Sequence, residues 1–568
     1  MLDDFTLLLL RKRGIETKEA IEKFLNPSYD LHLHDPLLMK NMPEAAKRFA
    51  KAITTGERIA AWTDYDCDGL PSAVLLHDFL KKVGANFEIY IPHRHEEGYG
   101  VNVGGIEKLA ERGTKLIVTA DSGITDVVAI ARARELGMDV IVTDHHLPSV
   151  ALTKDGSPYQ MLPDAIVVDD KQKGETYPFP ELCGAATAWK LVCAVLAVSG
   201  DIRAKVPVGW EKWLLDMVGL ATIADMMPLV GENRVLAKYG LKVLRKSPRI
   251  GLQKLCRVMR VNQSTITEDD VGFMIAPRIN AASRMGDAYD AFKLFTTQDE
   301  NEADLLAKKL DKANRERKAQ AGAITRAVHV RLKERESIPS VIALGDPAWR
   351  PALLGLVASG IAEEYGRPVF LWGREGNQTL KGSCRSHGGI HVLELMGRAV
   401  ETFVEFGGHA MSGGFTVRDD AVFYLEERLV SANEKLGDVV SVESVTYDVD
   451  TEISSEQANH SLLEKVERLA PFGMGNPKPL FRLRGCEISA VSYFGKGSEH
   501  LKIAIGSHGL ESVAFFVKGD LAKTAKDLKT GTQVNVLAHL ERDQFSPRRG
   551  PFGAQGQPRL RLLDIVLV

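Results

Sequence analysis

Between about residues 57 and 170, short apolar runs alternate with amphipathic stretches that end at glycine, and this alternation leaves few folds open. "RIAAWT", "FEIYIP", "TKLIVTA", "MDVIVTD" and "DAIVVD" have the length and β-branched content of strands. "AVLLHDFLKKVG", "GIEKLAERG" and "DVVAIARARELG" have the apolar spacing of helices closed by glycine. Parallel neighbours need crossovers, and crossover helices cover the faces, so the repeat predicts an α/β parallel-sheet core.

Carboxylates fall where these strands end. "WTDYDCDG" puts Asp64, Asp66 and Asp68 at alternate positions, Asp121 follows "KLIVTA", and Asp144, His145 and His146 follow "DVIVT". Ligands sit at the carboxyl edge of an open parallel sheet, and alternate residues of an extended chain face one way, so these groups are expected to converge. Two unit charges ~4 Å apart at an effective dielectric of about 20 repel by roughly 4 kcal/mol. Protons or cations must relieve such a cluster. A lone Asp there would ordinarily cap a turn or a helix. Several capping acids stacked at successive strand ends would repel without relief, which favours a metal. Asp and His without Cys suit Mn²⁺ or Mg²⁺ better than a structural zinc. One carboxylate shared by two ions ~3.5–4 Å apart would clamp the attacking and leaving oxygens of a phosphoryl displacement, and Asp121 is the candidate bridge.

The chain of 568 residues has room for several domains. Residues 180–295 read as mostly helical, including "WEKWLLDMVGLATIADMMPLVGENRVLAKYGLKVL". Residues 300–336 lack proline, hold one glycine and mix charges at helical spacing, which predicts a long, mostly solvated connecting helix. "SVIALGD", "ALLGLVASGIAEEYGRP" and "VFLW" predict a second, smaller α/β domain over 338–440. After about residue 444, short strands such as "FRLRGCEISAVSYFG", "HLKIAIG", "ESVAFFVKG", "TQVNVLAHL" and "LRLLDIVLV" suggest a small barrel of the oligonucleotide-binding kind.

A net charge of −3 offers no bulk basic surface, so any phosphate contact must come from local patches. The six cysteines include no C-x-x-C, which argues against a zinc ribbon or a disulfide framework and for a reducing compartment. No run reaches the ~18 apolar residues of a membrane span. In "MLDDFTLLLLRKRG" the apolar run is too short for a leader and its basic residues follow it, so a cytoplasmic location is expected.

"DYDCDG", "DSG" and "DHH", in this order, resemble the motifs of the DHH phosphoesterase superfamily. "ATIADMMPLVGENR", "APRINAASR", "KGSCRS", "FGGHAMSGG" and "RLAPFGMGNPKPLF" resemble the RecJ single-stranded-DNA-specific exonucleases over nearly the whole chain, as do "RGIETKEAIEKFLNP" and "DPLLMKNM". The resemblance implies an N-terminal segment packing on the core (1–56), a DHH catalytic core (57–297), the connecting helix (298–337), a DHHA1 substrate-binding domain (338–440) and an OB-fold domain (441–568). It implies Asp68, Asp121, His145 and Asp225 on one divalent cation, Mn²⁺ or Mg²⁺, and Asp64, Asp66 and Asp121 on the other. Asp144 and His146 would lie beside them, with His146 on the scissile phosphate. Asp225, in "TIADMMP", is a residue that the strand pattern does not find.

The implied activity is 5′-to-3′ digestion of single-stranded DNA to mononucleotides in repair and recombination. A monomer is expected, with single-strand-binding protein and a RecQ-type helicase as candidate partners and no membrane. Two alternatives stand beside it. A DHH phosphodiesterase of nanoRNA or cyclic dinucleotides would usually lack the appended barrel. A non-catalytic single-strand-binding scaffold is opposed by the complete acidic motifs.

Arg278, Asn280, Ser283 and Arg284 in "APRINAASR", with Ser383, Arg385 and Ser386 in "KGSCRS", offer forked and short polar donors for phosphate oxygens. Read alone, either motif is equally a solvated loop; the resemblance assigns both to substrate. "FGGHAMSGGF", with Gly407, Gly408, His409, Gly413 and Gly414, suits a backbone cradle for a terminal phosphate, again by resemblance. In the last domain Tyr493, Phe494, Phe515 and Phe516 could stack bases, while Lys502, Lys518, Arg548, Arg549, Arg559 and Arg561 follow a backbone. Strand aromatics ordinarily fill a barrel core, so most of these rings are expected inside. The chain departs from the family where relatives read "WHxGVIGIVASR": Arg350 replaces histidine, Pro351 and Ala352 follow, and Gly360 replaces arginine. Ala276 and Ser283 stand where "GPRLNAAGR" has glycines.

Overall fold

Strands β1 (Ile59–Thr63), β2 (Phe87–Tyr90), β3 (Leu116–Ala120) and β4 (Asp139–Asp144) form in the computed structural model where the apolar runs predict them. An unforeseen antiparallel hairpin, β5 (Ser149–Leu152) and β6 (Pro158–Met161), precedes β7 (Ile166–Asp169). The structure describes residues 2–153, 157–374, 379–436, 447–495, 497–517, 519–543 and 556–568. They group into two bodies, Met1–Asp311 with Asp448–Val568, and Lys312–Tyr447.

The sheet of the first body has the order β2-β1-β3-β4-β7, with every pair parallel. Strand order reverses between β1 and β3, the switch point at which such sheets open a crevice. β1 and β3 are buried along their whole length, which is why they read as continuous apolar runs. Ile59 and Ala61 face a core shared with helices Met42–Thr55, Gly69–Val83 and Gly184–Val198. Ala60 and Trp62 face helices Val103–Glu111 and Val127–Glu135.

The helical region breaks where its apolar spacing looks continuous. Helix Leu215–Ala224 stops at Asp225, and Met226 takes a left-handed φ of 57° before helix Gly231–Leu244 begins. Pro228 cannot continue the first helix, so the break is written into the sequence. The long helix Glu300–Lys333 buries Leu306, Ala307 and Leu310 in the first body and ends in the second.

The second body holds β8 (Ile342–Gly345), β9 (Val369–Gly373), β10 (Leu380–Arg385), β11 (Phe403–Gly408) and β12 (Ser412–Val417) in the order β11-β12-β10-β9-β8. β8 and β9 are parallel and joined by helix Pro351–Tyr365; the remaining pairs are antiparallel. The expected boundary at 440/441 lies outside the described residues.

The last strands are β13 (Thr451–Glu452), β14 (Leu480–Phe494), β15 (His500–Ile505), β16 (Leu510–Ala514), β17 (Gln533–Arg542) and β18 (Pro558–Leu567). Pairings run β14-β15-β16-β18-β17 and return from β17 to β14, which closes a five-stranded barrel. Only β16–β18 is parallel within that ring, as an OB-fold requires.

The N-terminal segment corrects the expectation that all of it packs on the core. Met39, Met42 and the helix that follows do so. Helices Asp4–Arg11 and Lys18–Leu25 instead bury Leu9, Leu10, Phe24 and Leu25 among barrel residues such as Phe481 and Leu483. Buried Arg234 ties the pieces together: Nε donates to Phe24 O at 2.7 Å, and Nη2 to Leu469 O at 2.9 Å and Ala470 O at 3.1 Å. Among the described residues no helix is long and apolar enough to cross a membrane.

Candidate metal centre

β1 ends at Thr63, so Asp64, Asp66 and Asp68 do not alternate along an extended strand as the spacing predicts; they converge through a turn. Asp66 Oδ1 accepts from Asp68 N at 2.8 Å and Gly69 N at 3.1 Å, curling the chain into helix Gly69–Val83. Gly69 is required there, because a Cβ would lie 2.3 Å from Asp64 O. Asp68 accepts at both oxygens from the first turn of helix Gly184–Val198, from Gly184 N at 2.6 Å and Ala185 N at 2.8 Å. Free amides and the helix dipole favour a carboxylate at that end. A Cβ on Gly184 would meet Asp121 Cβ at 2.5 Å, so glycine allows the two elements to touch. Asp121 follows β3 with a φ of 60°, a left-handed conformation that non-glycine residues adopt mostly in tight turns and functional sites.

These turns bring the groups together. His145 Nε2 lies 3.2 Å from Asp121 Oδ1, 3.6 Å from Asp68 Oδ2 and 3.9 Å from Asp225 Oδ2. Asp68, His145 and Asp225 offer ligand atoms within 4.8 Å of one another, and so do Asp64, Asp66 and Asp121. The break after helix Leu215–Ala224 is what carries Asp225 in. Asp144 serves differently: Oδ1 bonds His146 Nδ1 at 2.7 Å, and Oδ2 accepts from Ile124 N at 3.0 Å.

Asp64, Asp68 and Asp121 are each at most 3% exposed. Burial and then the Asp66 charge push the Asp64 carboxyl well above the ordinary range; burial and then Asp68 do the same to Asp121. Asp225 is pushed up to about 8 by burial, with Asp68 and Asp66 adding to it. Burial would also raise Asp144, yet the His146 hydrogen bond and charge outweigh it and hold it low. Burial disfavours charge on His146, but Asp144 wins and lifts it to about 9. Asp64 Oδ1 is buried without a hydrogen-bond partner among the described residues. Crowded carboxylates, the imidazoles of His145 and His146, an orphaned oxygen and no thiolate among the clustered groups fit Mn²⁺ or Mg²⁺.

Four residues around the cluster escape the sequence reading. Arg94 Cζ sits 4.7 Å over the Tyr65 ring and its charge acts on Asp64. Tyr99 meets the Tyr65 ring at 6.4 Å and the His146 ring at 6.2 Å. Their loop, "IPHRHEEGYG", has no periodicity to flag it. Asp169 ends β7 and Asp170 follows it, and applying the strand-end rule to "DAIVVDD" would have found them. Both are buried; Asp169 is pushed up to about 8 by burial, and Asp170 Oδ2 accepts from Leu182 N at 3.0 Å, bracing the approach to Gly184.

The expected phosphate contacts divide. Arg278 is engaged inside the protein, with Nε and Nη2 on Asp311 at 3.0 and 2.8 Å and Nη1 on Met274 O at 2.7 Å. Ser283 is buried and donates to Asn280 O at 3.3 Å, so Arg278 and Ser283 both meet protein partners. Asn280 and Arg284 are half-buried, and the Arg284 charge acts on Tyr65. In the second body, strand register sets Ser383 against Gly414, Gly414 in turn against Gly407, and Arg385 against Ser412. "KGSCRS" and "FGGHAMSGG" therefore lie side by side, with Gly407, Gly408 and His409 exposed. Arg385 Nη2 lies 2.8 Å from a Cβ built on Gly355, so Arg385 rests on helix Pro351–Tyr365, whose N-cap position is Arg350. Ser386 Oγ donates to Ile390 O.

The barrel aromatics correct a second expectation, because they lie outside the core. Tyr493, Phe494, Phe515 and Phe516 are 38–64% exposed, and Phe494, Phe515 and Phe516 ring His500 at 4.9, 5.4 and 4.6 Å. Lys502 pairs with Glu511, and Arg559 with Glu541 and Asp543, so neither is an unengaged cation; Arg561 is half-buried. Lys518, Arg548 and Arg549 lie outside the described residues.

Comparison with known proteins agrees with this layout. Residues 58–222 match the DHH family, N-terminal domain, residues 338–441 the DHHA1 domain, and residues 449–551 the RecJ OB domain. The chain is 34% identical over 549 residues to the single-stranded-DNA-specific exonuclease RecJ of Bacillus subtilis, covering 96% of this chain and 66% of that protein. It is 33% identical to the RecJ of Thermus thermophilus, covering 94% of this chain and 72% of that protein. A crystal structure of Thermus thermophilus RecJ in complex with Mn²⁺ matches with a TM-score of 0.76 and 28% identity over 99% of this chain and 75% of that one. That RecJ has also been solved in complex with Mg²⁺.

Proposed function

Because the chain belongs to the family of RecJ single-stranded-DNA-specific exonucleases and is a metal-dependent exonuclease, we propose that it digests single-stranded DNA from the 5′ end, releasing 5′-mononucleotides through a two-cation site. One observation carries the reading: two ligand triads, Asp68–His145–Asp225 and Asp64–Asp66–Asp121, meet at the β1/β3 switch point, with Asp121 also 3.2 Å from His145.

Bound divalent cations supply charge for a phosphoryl group and lower the pKa of water at neutral pH. Asp121 would hold both, with Asp64 and Asp66 completing one set and Asp68, His145 and Asp225 the other. Gly184 and Ala185 fix both oxygens of Asp68, so its ligand geometry does not depend on the substrate. Asp144 holds His146 by Nδ1, which leaves Nε2 for a scissile-phosphate oxygen. Arg94 and Arg284 offset phosphate charge at the rim. In the second body, the glycine row beside Ser383 and Arg385, with His409, would take the terminal phosphate. The exposed barrel aromatics would stack bases further along. The role is in DNA repair and recombination, by a cytoplasmic monomer recruited through single-strand-binding protein or a RecQ-type helicase.

The test compares 5′-labelled and 3′-labelled single strands and a blunt duplex in Mn²⁺, Mg²⁺ or chelator. The reading requires labelled mononucleotide from the 5′ end first, only with metal and only from single strands. First release of the 3′ label, or equal digestion of the duplex, overturns it.

A further inference from the structure

We propose that Met226, Phe273 and Met474 form an apolar shelf that receives the faces of unpaired nucleobases beside the acid cluster. The inference rests on the single-strand reading above. The three side chains are 67%, 63% and 53% exposed, and they come from segments far apart in sequence. Leu229 N donates to Met474 O at 2.7 Å, and Cβ atoms built on Gly473 and Gly475 would lie 2.9 and 3.3 Å from side chains of the Met226–Val230 turn. Glu268 Oε1 accepts from Phe472 N at 3.0 Å, and Lys478 Nζ donates to Asp269 at 2.8 Å. Those bonds join the Met474 loop to the π-helical turn Val271–Ile275 that presents Phe273. The turn packs on helix Leu215–Ala224, whose next two residues are Asp225 and Met226.

Two of the three segments lead directly into the site. Met226 is the peptide neighbour of a candidate ligand, and its left-handed φ turns it outward while Met227 is buried. From the π turn, helix Ala276–Met285 leads to Arg284, whose charge acts on Tyr65 next to Asp64. Single exposed apolar residues are ordinary; three on separate segments that are bonded and packed to one another beside a charged crevice would form an interaction surface. Neither a thioether nor a phenyl ring offers strong hydrogen bonds, so the shelf fits base faces and not phosphates, without preference among bases. Bases within a duplex cover one another's faces, so this surface would favour unpaired strands. Its attraction needs no cation, unlike that of the acids.

The test is fluorescence anisotropy of 3′-labelled, 5′-phosphorylated strands on the full chain in chelator, with intact or abasic residues at the second to fourth positions. Removing those bases should weaken wild-type binding at least about fivefold. In Phe273→Ala combined with Met226→Ala and Met474→Ala, the intact strand should bind as weakly as the abasic one. Circular dichroism melting of the variant reports its fold, and Phe273→Leu, which keeps an apolar surface, should restore part of the base dependence. Equal wild-type affinity for intact and abasic strands, or a folded variant that keeps the wild-type ratio, overturns the shelf. Digestion in Mn²⁺ is followed in parallel: wild type that binds with this base dependence yet cuts nothing refutes the nuclease reading and leaves the shelf standing.

Discussion

Asp121 bears three burdens at once: a left-handed backbone, almost complete burial, and like charges from Asp68, Asp66 and Asp64. Stability alone would select against such a residue, and on the proposed reading bound cations offset its cost. Asp121→Asn should reduce Mn²⁺-dependent digestion to background. In chelator the same change should raise the melting temperature by a few degrees, at ~2–4 °C per kcal/mol of relieved repulsion, and it should abolish most of the Mn²⁺-induced rise. Differential scanning fluorimetry measures both. Asp225 gives a pH dependence with a definite sign. Its folded pKa, about 8, lies above the unfolded carboxylate value, so its favourable contribution to chelated protein is complete below the unfolded value and is lost as pH rises toward 8. Asp225→Asn should therefore gain stability over wild type in chelator as pH climbs from 4 to about 8. A gap that narrows over that range refutes the assignment.

At the scale of elements, the site depends on a strand end touching a helix start. Gly184 permits that contact, and Gly184→Ala must move either Asp121 or the amides that hold Asp68. Titration calorimetry should show Mn²⁺ affinity falling about 10- to 100-fold in this variant, while Gly104→Ala, 3.7 Å from its nearest neighbour, leaves it unchanged. The sheet, its helices and the strand-end acids were legible because apolar period and strand length determine them. What alternation could not convey was the turn geometry: Asp64, Asp66 and Asp68 meet through a capping turn, which is a property of Asp66 and Gly69 and not of strand pleat. Asp225 was legible only by resemblance, since a helix that stops at a Met-Met-Pro turn carries no strand-end signal. Arg94 and Tyr99 sit on an aperiodic loop, and the bond of Arg278 to Asp311, 33 residues away, has no local sequence signal.

At the scale of the molecule, chain order misleads about which parts support one another. The first 25 residues belong with a barrel more than 400 residues later, because Leu9, Leu10, Phe24 and Leu25 complete its hydrophobic cluster. Sequence shows an apolar run there but not the surface it seeks. Arg234→Met should uncover this dependence: it takes the guanidinium donors away from the carbonyls of Phe24, Leu469 and Ala470, of which Leu469 keeps only Asn476 Nδ2, and should cost about 3 kcal/mol, read as a lower urea midpoint with early proteolysis between the N-terminal helices and the core.

Cations at the switch point remain the premise on which site, stability and activity all turn. Anomalous scattering from crystals of the chain grown with Mn²⁺ addresses it directly. Two peaks ~3.5–4 Å apart, with an Asp121 carboxylate oxygen between them, are expected. Density without a manganese peak beside Asp121 would mean that these acids are relieved by protons, and the hydrolytic assignment would fall with them.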